Sequence, residues 1–212
     1  MMRYIKVLSV LLVSIASVAW ANNASAVWYA GNKRLSAYGV YARIFTPSQA
    51  PSIAFVAPPG HSGEYNWVSA VGNGWVQAGW SYFPYEQYTQ AMSYTEALTG
   101  GMYWNINFYG SQAWGTYITY RVENYSGNCW RASWPAVGDG DAWCGLAAPA
   151  EMQASLEVHG STSNVANTAF RKVHYKKADG AWGNFDQAYW VENSPYRILD
   201  KTFLFKWNSV GP

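Results

Sequence analysis

The sequence predicts an all-β protein, an antiparallel two-sheet β-sandwich of the jelly-roll or concanavalin-like type. The chain contains 13 Trp and 17 Tyr but only 5 Met, and charged residues make up 12% of it. This composition is typical of strands rather than helices. Most segments also alternate between apolar and polar residues over a short run that ends in Gly, Pro or Asn. Short strands at such regular spacing are typical of sandwiches and jelly rolls.

The first 26 residues have the pattern of a signal peptide. Arg3 and Lys6 give a positively charged start, Val7 to Val18 form an apolar run, and small residues follow. Cleavage after Ala26, the second of two Ala-x-Ala sites, would leave residues 27–212 as a single β-sandwich domain. The alternative is a membrane anchor, but the apolar run is short for a span. We therefore expect a secreted, extracellular protein with no membrane association.

The charge balance excludes some classes of partner. The chain has 14 basic and 12 acidic residues. Two of the basic residues, Arg3 and Lys6, belong to the predicted signal peptide, so the expected mature chain has no net charge. Binding to phosphate groups needs clustered Lys and Arg. The one basic cluster, Arg171, Lys172, Lys176 and Lys177 around His174, is interpreted as the solvent-exposed face of a strand. We expect no nucleic-acid partner and a monomeric chain.

Cys129 and Cys144 are the 2 cysteines of the chain. In an exported protein they are expected to pair and to close a loop rich in Gly and Asp. A catalytic thiol is the alternative, but no Cys/His signature accompanies either residue. A metal site would need more ligands than two cysteines and scattered histidines supply. We therefore expect a disulfide, no metal and no cofactor.

Strand and turn signals alternate along the whole chain. Strands are predicted over 39–45, 52–56, two runs within 66–80, 102–108, 116–124, 129–134, 151–159, 169–176 and 203–207. The segment 85–98 has the weakest strand pattern and is predicted as a loop or a short helical turn. Because no linker or internal repeat interrupts this series, one domain accounts for it.

One polar residue stands out in the second run of 66–80. Alternation puts Trp75, Gln77 and Gly79 on one face of this strand. A glycine beside Gln77 would leave room for a ligand to approach the sheet. An ordinary exposed Gln is the simpler interpretation of this residue taken alone.

A second polar residue stands out in the strand 151–159. Glu157 shares a face with Gln153, Ser155 and His159, and a carboxylate in the middle of a strand is uncommon in a chain so poor in charge. A solvent-facing Glu is again the simpler interpretation. His159 either acts on the charge of this carboxylate or faces solvent, and the second interpretation is favoured. If Gln77 and Glu157 lie on neighbouring strands, the carboxylate can move a proton to and from water while the amide donates to an oxyanion.

Four runs in the same order resemble the glutamic peptidases: GVYARIFTP, SIAFV, WVQAGW and SLEVHG. They are most similar to the neprosin-type domain, which has I-E-A-G-W and G-G-E-V strands, and more distantly to the fungal eqolisin type. The eqolisin pattern has Gln at the first catalytic position, after a W-V-G-I-D-G strand that resembles the run from Trp67 to Gly72. The resemblance implies a two-sheet sandwich with Gln77 and Glu157 as the catalytic pair on a concave face.

The resemblance also implies supporting residues. Trp67 and Trp75 would line the cleft and bind substrate, and Glu96 stands where eqolisins have a Y-E-W segment. The chain departs from both patterns: Val71 replaces the eqolisin Asp, Leu156 replaces a neprosin Gly, and the neprosin cysteine motifs are missing.

Three functional hypotheses follow. The first is a secreted, acid-acting glutamic endopeptidase-like protein that cleaves a polypeptide substrate, with Glu157 activating water and Gln77 stabilising the oxyanion. The second is a non-catalytic carbohydrate- or peptide-binding module, because aromatic residues on a concave sheet also suit glycans. The third is a secreted β-protein whose aromatic residues all belong to the core.

Overall fold

The computed structural model describes residues 27–53, 63–83, 90–100, 103–138, 140–160, 166–186 and 188–212. They form fifteen strands and one 3₁₀ turn over Pro135–Val137, without an α-helix among them. In chain order the strands are β1 (Val27–Ala37), β2 (Gly39–Phe45), β3 (Gly63–Val71), β4 (Trp75–Tyr82), β5 (Ala91–Thr99), β6 (Tyr103–Gln112), β7 (Tyr117–Ser126), β8 (Cys129–Ser133), β9 (Asp141–Cys144), β10 (Ala150–His159), β11 (Asn167–Lys176), β12 (Trp182–Asn184), β13 (Ala188–Glu192), β14 (Arg197–Phe203) and β15 (Lys206–Val210). Within these ranges no helix is long and apolar enough to cross a membrane. The predicted signal peptide, residues 1–26, lies outside the described residues.

The strands form two sheets. The first has the order β13-β1-β10-β3-β4-β5-β6, and the second has the order β14-β15-β11-β2-β7-β8-β9 with β12 paired to β11. The paired strands run antiparallel in both sheets. The all-β, antiparallel two-sheet sandwich expected from the sequence is therefore confirmed.

The core lies between the two sheets and is filled by alternate residues of each strand. In β4, Val76, Ala78 and Trp80 are fully buried in this core. Trp130 and Phe170 enter it from the second sheet. Because successive side chains of a strand point to opposite faces, Trp75 and Gln77 must point out of the sandwich from the first sheet. The predicted alternation in β4 is correct.

The predicted disulfide is present. Cys129 on β8 and Cys144 on β9 are directly opposite each other in the register and are bonded across a sequence separation of 15 residues. The bond joins the last two strands at one edge of the second sheet.

The prediction of a loop or helical turn over 85–98 is wrong for its described part, because β5 occupies Ala91–Thr99. Two of its core-facing positions, Ser93 and Thr95, are polar, which hides the strand pattern. The Ser93 hydroxyl hydrogen-bonds the Tyr120 hydroxyl at 2.6 Å, and the Thr95 hydroxyl donates to Asp141. Polar groups with such partners can be buried in place of apolar ones.

Other strands also differ from the sequence predictions, and β9, β12, β13 and most of β14 were not predicted. The single strand predicted over 203–207 is instead the end of β14, a two-residue turn at 204–205 and the start of β15. Strand β1 was not predicted, because its small and polar residues interrupt the apolar alternation. At Gly31 in β1, a Cβ would lie 2.4 Å from the Ala154 carbonyl oxygen, so the glycine permits close pairing with β10. Of the strand predicted over 52–56, only the first two residues are described, and only Ser52 makes a β-bridge.

Candidate functional site

A cavity of about 460 Å³ lies on the outer face of the first sheet. Its lining includes all of the polar and aromatic residues that the sequence nominated for the site, together with His159: Gln77, Glu157, Trp67, Trp75, Glu96 and His159. They come from β3, β4, β5 and β10, which are consecutive in the sheet when read from β10. The topology therefore brings together residues that are far apart in the sequence, such as Trp67 and Glu157, which are 90 positions apart.

Gln77 forms a hydrogen-bonded pair with Glu96. The two residues are directly opposite each other on β4 and β5, and the Gln77 Nε2 donates to the Glu96 Oε2 at 2.6 Å. A longer contact of 3.4 Å joins the same nitrogen to the Tyr94 hydroxyl. Both members of the pair are only 8% exposed, so the amide is held in one orientation at the floor of the cavity.

The other carboxylate oxygen of Glu96 also has a partner. The Trp104 indole N–H donates to the Glu96 Oε1 at 2.6 Å from β6. Burial raises the pKa of Glu96 above its ordinary value, the N–H donors of Trp104 and Gln77 lower it in part, and the charge of Glu157 raises it further. Glu96 therefore takes up a proton more readily than an exposed Glu, and it senses the charge of Glu157 across the cavity.

Glu157 is hydrogen-bonded through both of its oxygens. The Trp67 indole N–H donates to the Glu157 Oε2 at 2.7 Å, and the His159 Nε2 lies 2.5 Å from the Glu157 Oε1. The expectation that His159 faces solvent is wrong, since its side chain is only 23% exposed and its ring also packs 4.9 Å from the Tyr65 ring. Residues two apart share a strand face, which lets this imidazole lie directly against the carboxylate.

Gln77 and Glu157 are separated in the sheet. Gln77 is paired with Ser69 and Ser69 with Gln153, so Glu157 lies four residues farther along β10 and two strands away. This offset corresponds to about 13 Å along the strands and about 10 Å across them. This offset separates the backbone positions; both side chains line one cavity, and the charge of Glu157 acts on Glu96, the partner of Gln77.

Gly79 does not have the role that the sequence predicted. A Cβ at this position would lie 2.0 Å from the Asn66 carbonyl oxygen and 2.8 Å from the Trp67 Cα. The space beside Gln77 is therefore filled by the backbone of β3, and the glycine is needed for the pairing of two strands rather than for the approach of a ligand.

Sequence reasoning missed Trp104 and Tyr29, which both line the cavity. Trp104 lies in a segment correctly predicted as a strand, where Trp104, Ile106 and Phe108 alternate on one face, and this alternation was the available signal. Tyr29 lies on the unpredicted strand β1, opposite Glu157. Within the described ranges no three metal-ligating side chains gather. The lining includes carboxylate, amide, indole, imidazole and phenol groups.

Neither a protein-family model nor a curated protein sequence matches this chain. The resemblance to the neprosin-type domain therefore rests on the sequence motifs. Solved structures do match over most of their length. Scytalido-glutamic peptidase in complex with a peptide-based transition-state analogue has a TM-score of 0.62 and 12% identity, covering 87% of this chain and 98% of that one.

SCP-B, a member of the eqolisin family of peptidases in complex with the tripeptide Ala-Ile-His, has a TM-score of 0.60 and 11% identity with the same coverage of 87% and 98%. A second complex of scytalido-glutamic peptidase, with a transition-state analogue inhibitor, gives a TM-score of 0.62. At this identity the similarity establishes the fold alone. The chain has the glutamic-peptidase-like β-sandwich fold.

Proposed function

We propose that the chain is a secreted, acid-acting glutamic endopeptidase, with Glu157 as the group that activates water and Gln77 as the donor to the oxyanion. The observation that carries the proposal is the cavity that Gln77, Glu96 and Glu157 share on the outer face of the first sheet. The fold supports it, because the solved structures of this fold described above include peptidases with peptide-like ligands.

The proposed reaction begins at Glu157. Its carboxylate takes a proton from a water molecule, and the water oxygen bonds to the carbonyl carbon of the scissile peptide. Each carboxylate oxygen has two lone pairs, so the hydrogen bonds from Trp67 and His159 leave acceptor sites for this water. These two contacts orient the carboxylate. Glu157 then returns the proton to the leaving amine as the C–N bond breaks.

Gln77 acts at the carbonyl oxygen of the substrate. The carboxamide nitrogen has two N–H groups, of which one is held by Glu96 at 2.6 Å. The other makes only the longer contact of 3.4 Å with the Tyr94 hydroxyl, and it is the N–H that donates to the negative charge on the carbonyl oxygen in the transition state. A donor that is already oriented stabilises this charge without reorganisation. Glu96 is a positioning residue in this scheme.

The acid optimum follows from two carboxyl groups in one cavity. Because burial raises the pKa of Glu96, and the charge of Glu157 raises it further, Glu96 holds its proton to a higher pH than an exposed Glu. A protonated Glu96 adds no negative charge to the cavity. Loss of the Glu96 proton at higher pH adds a second negative charge that opposes the oxyanion.

Secretion and a monomeric state are also part of the proposal. Supporting secretion, the Cys129–Cys144 disulfide is typical of proteins that fold in an oxidising compartment. The substrate would be a polypeptide.

The test is digestion of a denatured protein across a pH series. We expect the wild type to cleave in acid, Glu157→Gln to lose about 10²- to 10⁴-fold in rate, and Gln77→Ala to lose about 10²- to 10³-fold. Gln112→Ala is the matched control, since Gln112 lies at the end of β6 and donates to the Gly110 carbonyl. Thermal unfolding of each variant checks that the fold is intact.

Two results would contradict the peptidase. One is a wild type without activity at any pH, and the other is activity that survives in both variants. The first result would favour the carbohydrate- or peptide-binding module, for which the exposed ring of Trp104 is the specific support. Binding to glycan arrays would then be expected to depend on Trp104 and not on Glu157.

A further inference from the structure

Trp104 has an unusual environment for a tryptophan. Its side chain is 64% exposed, the largest exposure among the large hydrophobic residues of the described ranges, yet it lines the cavity. Exposed aromatic surface in a concave site marks a place where a ligand covers it.

The orientation of the Trp104 ring is fixed. Its indole N–H donates to the Glu96 Oε1 at 2.6 Å, and the Glu96 Oε2 accepts from Gln77 at 2.6 Å. One buried carboxyl group therefore holds both the exposed ring and the amide assigned to the oxyanion. A ring held in this way loses little conformational entropy when a ligand covers it.

Trp104 is part of an apolar wall that we define as Trp104, Ile106 and Phe108 on β6. Ile106 is directly opposite Glu96 and also lines the cavity, and Phe108 is directly opposite Tyr94. Strand β6, with the sequence YWNINFYGSQ, contains no charged residue. Phe108 is also partly exposed, so the wall continues beyond the cavity along the edge of the sheet.

The opposite side of the cavity is polar. Lys33 and Gln153 line it there, and both contact the carboxylate of Glu151, with the Lys33 Nζ at 3.5 Å. The cavity therefore has an apolar side on β6 and a charged side on β1 and β10. A substrate that extends across the cavity would contact apolar side chains at one end and charged or polar side chains at the other.

We infer that the apolar wall binds a bulky apolar side chain of the polypeptide next to the scissile bond, and that Trp104 is the residue that determines this specificity. The inference rests on the proposed peptidase function. The Trp104 ring contacts the side chain, while its N–H positions Glu96 and through it Gln77. Occupation of the wall then places the neighbouring carbonyl group beside the Gln77 amide.

The two roles of Trp104 are separated by two substitutions. Trp104→Phe keeps an aromatic ring and removes the donor to Glu96, whereas Trp104→Ala removes both. The matched control is Tyr125→Ala, which removes an exposed aromatic ring from β7 in the second sheet. A peptide library digested at the acid optimum then gives the residue preference of each variant on both sides of the cleaved bond.

We expect the wild type and Tyr125→Ala to share a preference for Leu, Phe or similar residues at one subsite. Trp104→Phe should keep this preference with a lower rate at all sequences. Trp104→Ala should lose about tenfold or more in kcat/KM for peptides with the bulky apolar residue relative to peptides with Ser there. An unchanged preference in Trp104→Ala would overturn the inference while leaving the peptidase intact.

A wild type that does not cleave would instead contradict the proposed function, and a binding measurement then tests the wall. Fluorescein-labelled peptides that carry Phe or Ser at one position are titrated with the wild type and with Trp104→Ala, and fluorescence anisotropy is measured. Tighter binding of the Phe peptide that Trp104→Ala abolishes supports the wall. Equal binding of both peptides by the wild type overturns it.

Discussion

Glu64 and Glu96 are two buried carboxyl groups of one sheet that differ in the side to which they point. Glu64 on β3 shares its face with Val68 and Ala70 and points into the core, where it is fully buried. Glu96 on β5 points to the outer face and lines the cavity. Burial raises the pKa of both residues.

The two carboxyl groups also differ in their partners. Glu64 accepts one hydrogen bond from Asn66, at 2.7 Å, and its other oxygen has no partner among the described residues. As a result, burial dominates and raises the pKa of Glu64 to about 8, although the Asn66 donor lowers it in part. Glu96 accepts one N–H at each oxygen and faces the charge of a second carboxylate.

This difference distinguishes a buried acid that affects stability from one that is placed for chemistry. A raised pKa alone does not mark a functional site, because Glu64 has one although it does not line the cavity. What sets Glu96 apart is that both it and the amide bonded to it, Gln77, line the cavity. The predictions below separate the two roles.

The largest expected effect is on the stability of the protein and belongs to Glu64. Its pKa in the folded state is about 8, above the ordinary value of 4.5. The stabilisation that comes from the protonated Glu64 is therefore fully present below pH 4.5. The free energy of unfolding then decreases as the pH rises, until the folded state loses this proton at about pH 8. In Glu64→Gln the side chain is always neutral, so this pH-dependent decrease in the free energy of unfolding, on the order of 4 kcal/mol, should disappear. Thermal unfolding between acid and pH 9 measures it, and equal slopes for the two proteins would contradict it.

The next effect is on activity and belongs to Glu96. Glu96→Leu removes the partner of Gln77, so we expect kcat/KM to fall about 10- to 100-fold, less than for loss of the donor itself. Glu64→Gln is the control and should retain the activity of the wild type at acid pH. The account fails here if Glu64→Gln reduces activity as much as Glu96→Leu does while both proteins remain folded.

The smallest effect is on the pH dependence of activity. Glu96→Gln keeps an acceptor for the Gln77 N–H but cannot lose a proton. Because the raised pKa of Glu96 sets the pH above which a second charge enters the cavity, the alkaline limb of the kcat/KM profile should move to higher pH in this variant. A profile that keeps the wild-type alkaline limb would show that Glu96 does not control it.

The fold class and most strands follow from the sequence, because alternation and turn residues depend on local patterns. Alternation also placed Gln77 and Glu157 on the correct faces of their strands. It failed at β5, where Ser93 and Thr95 are buried through hydrogen bonds to Tyr120 and Asp141. Partners so distant in the sequence leave no local signal.

The pairing within the candidate site was not predictable for the same reason. That Gln77 pairs with Glu96, and Glu157 with Trp67, depends on the order of strands in the sheet and on their register. The sequence suggested a ligand beside Gly79, where the structure has the backbone of β3. Local spacing does not distinguish these two uses of a glycine.

The most direct measurement compares two carboxylates of the same strand. Glu157 and Glu151 are both on β10 and share its outer face, but only Glu157 lines the cavity. We expect kcat/KM for one fluorogenic peptide at acid pH to fall about 10²- to 10⁴-fold in Glu157→Gln and to change little in Glu151→Gln. Equal activity in Glu157→Gln and the wild type, or a loss confined to Glu151→Gln, would contradict the assignment of Glu157 as the group that activates water.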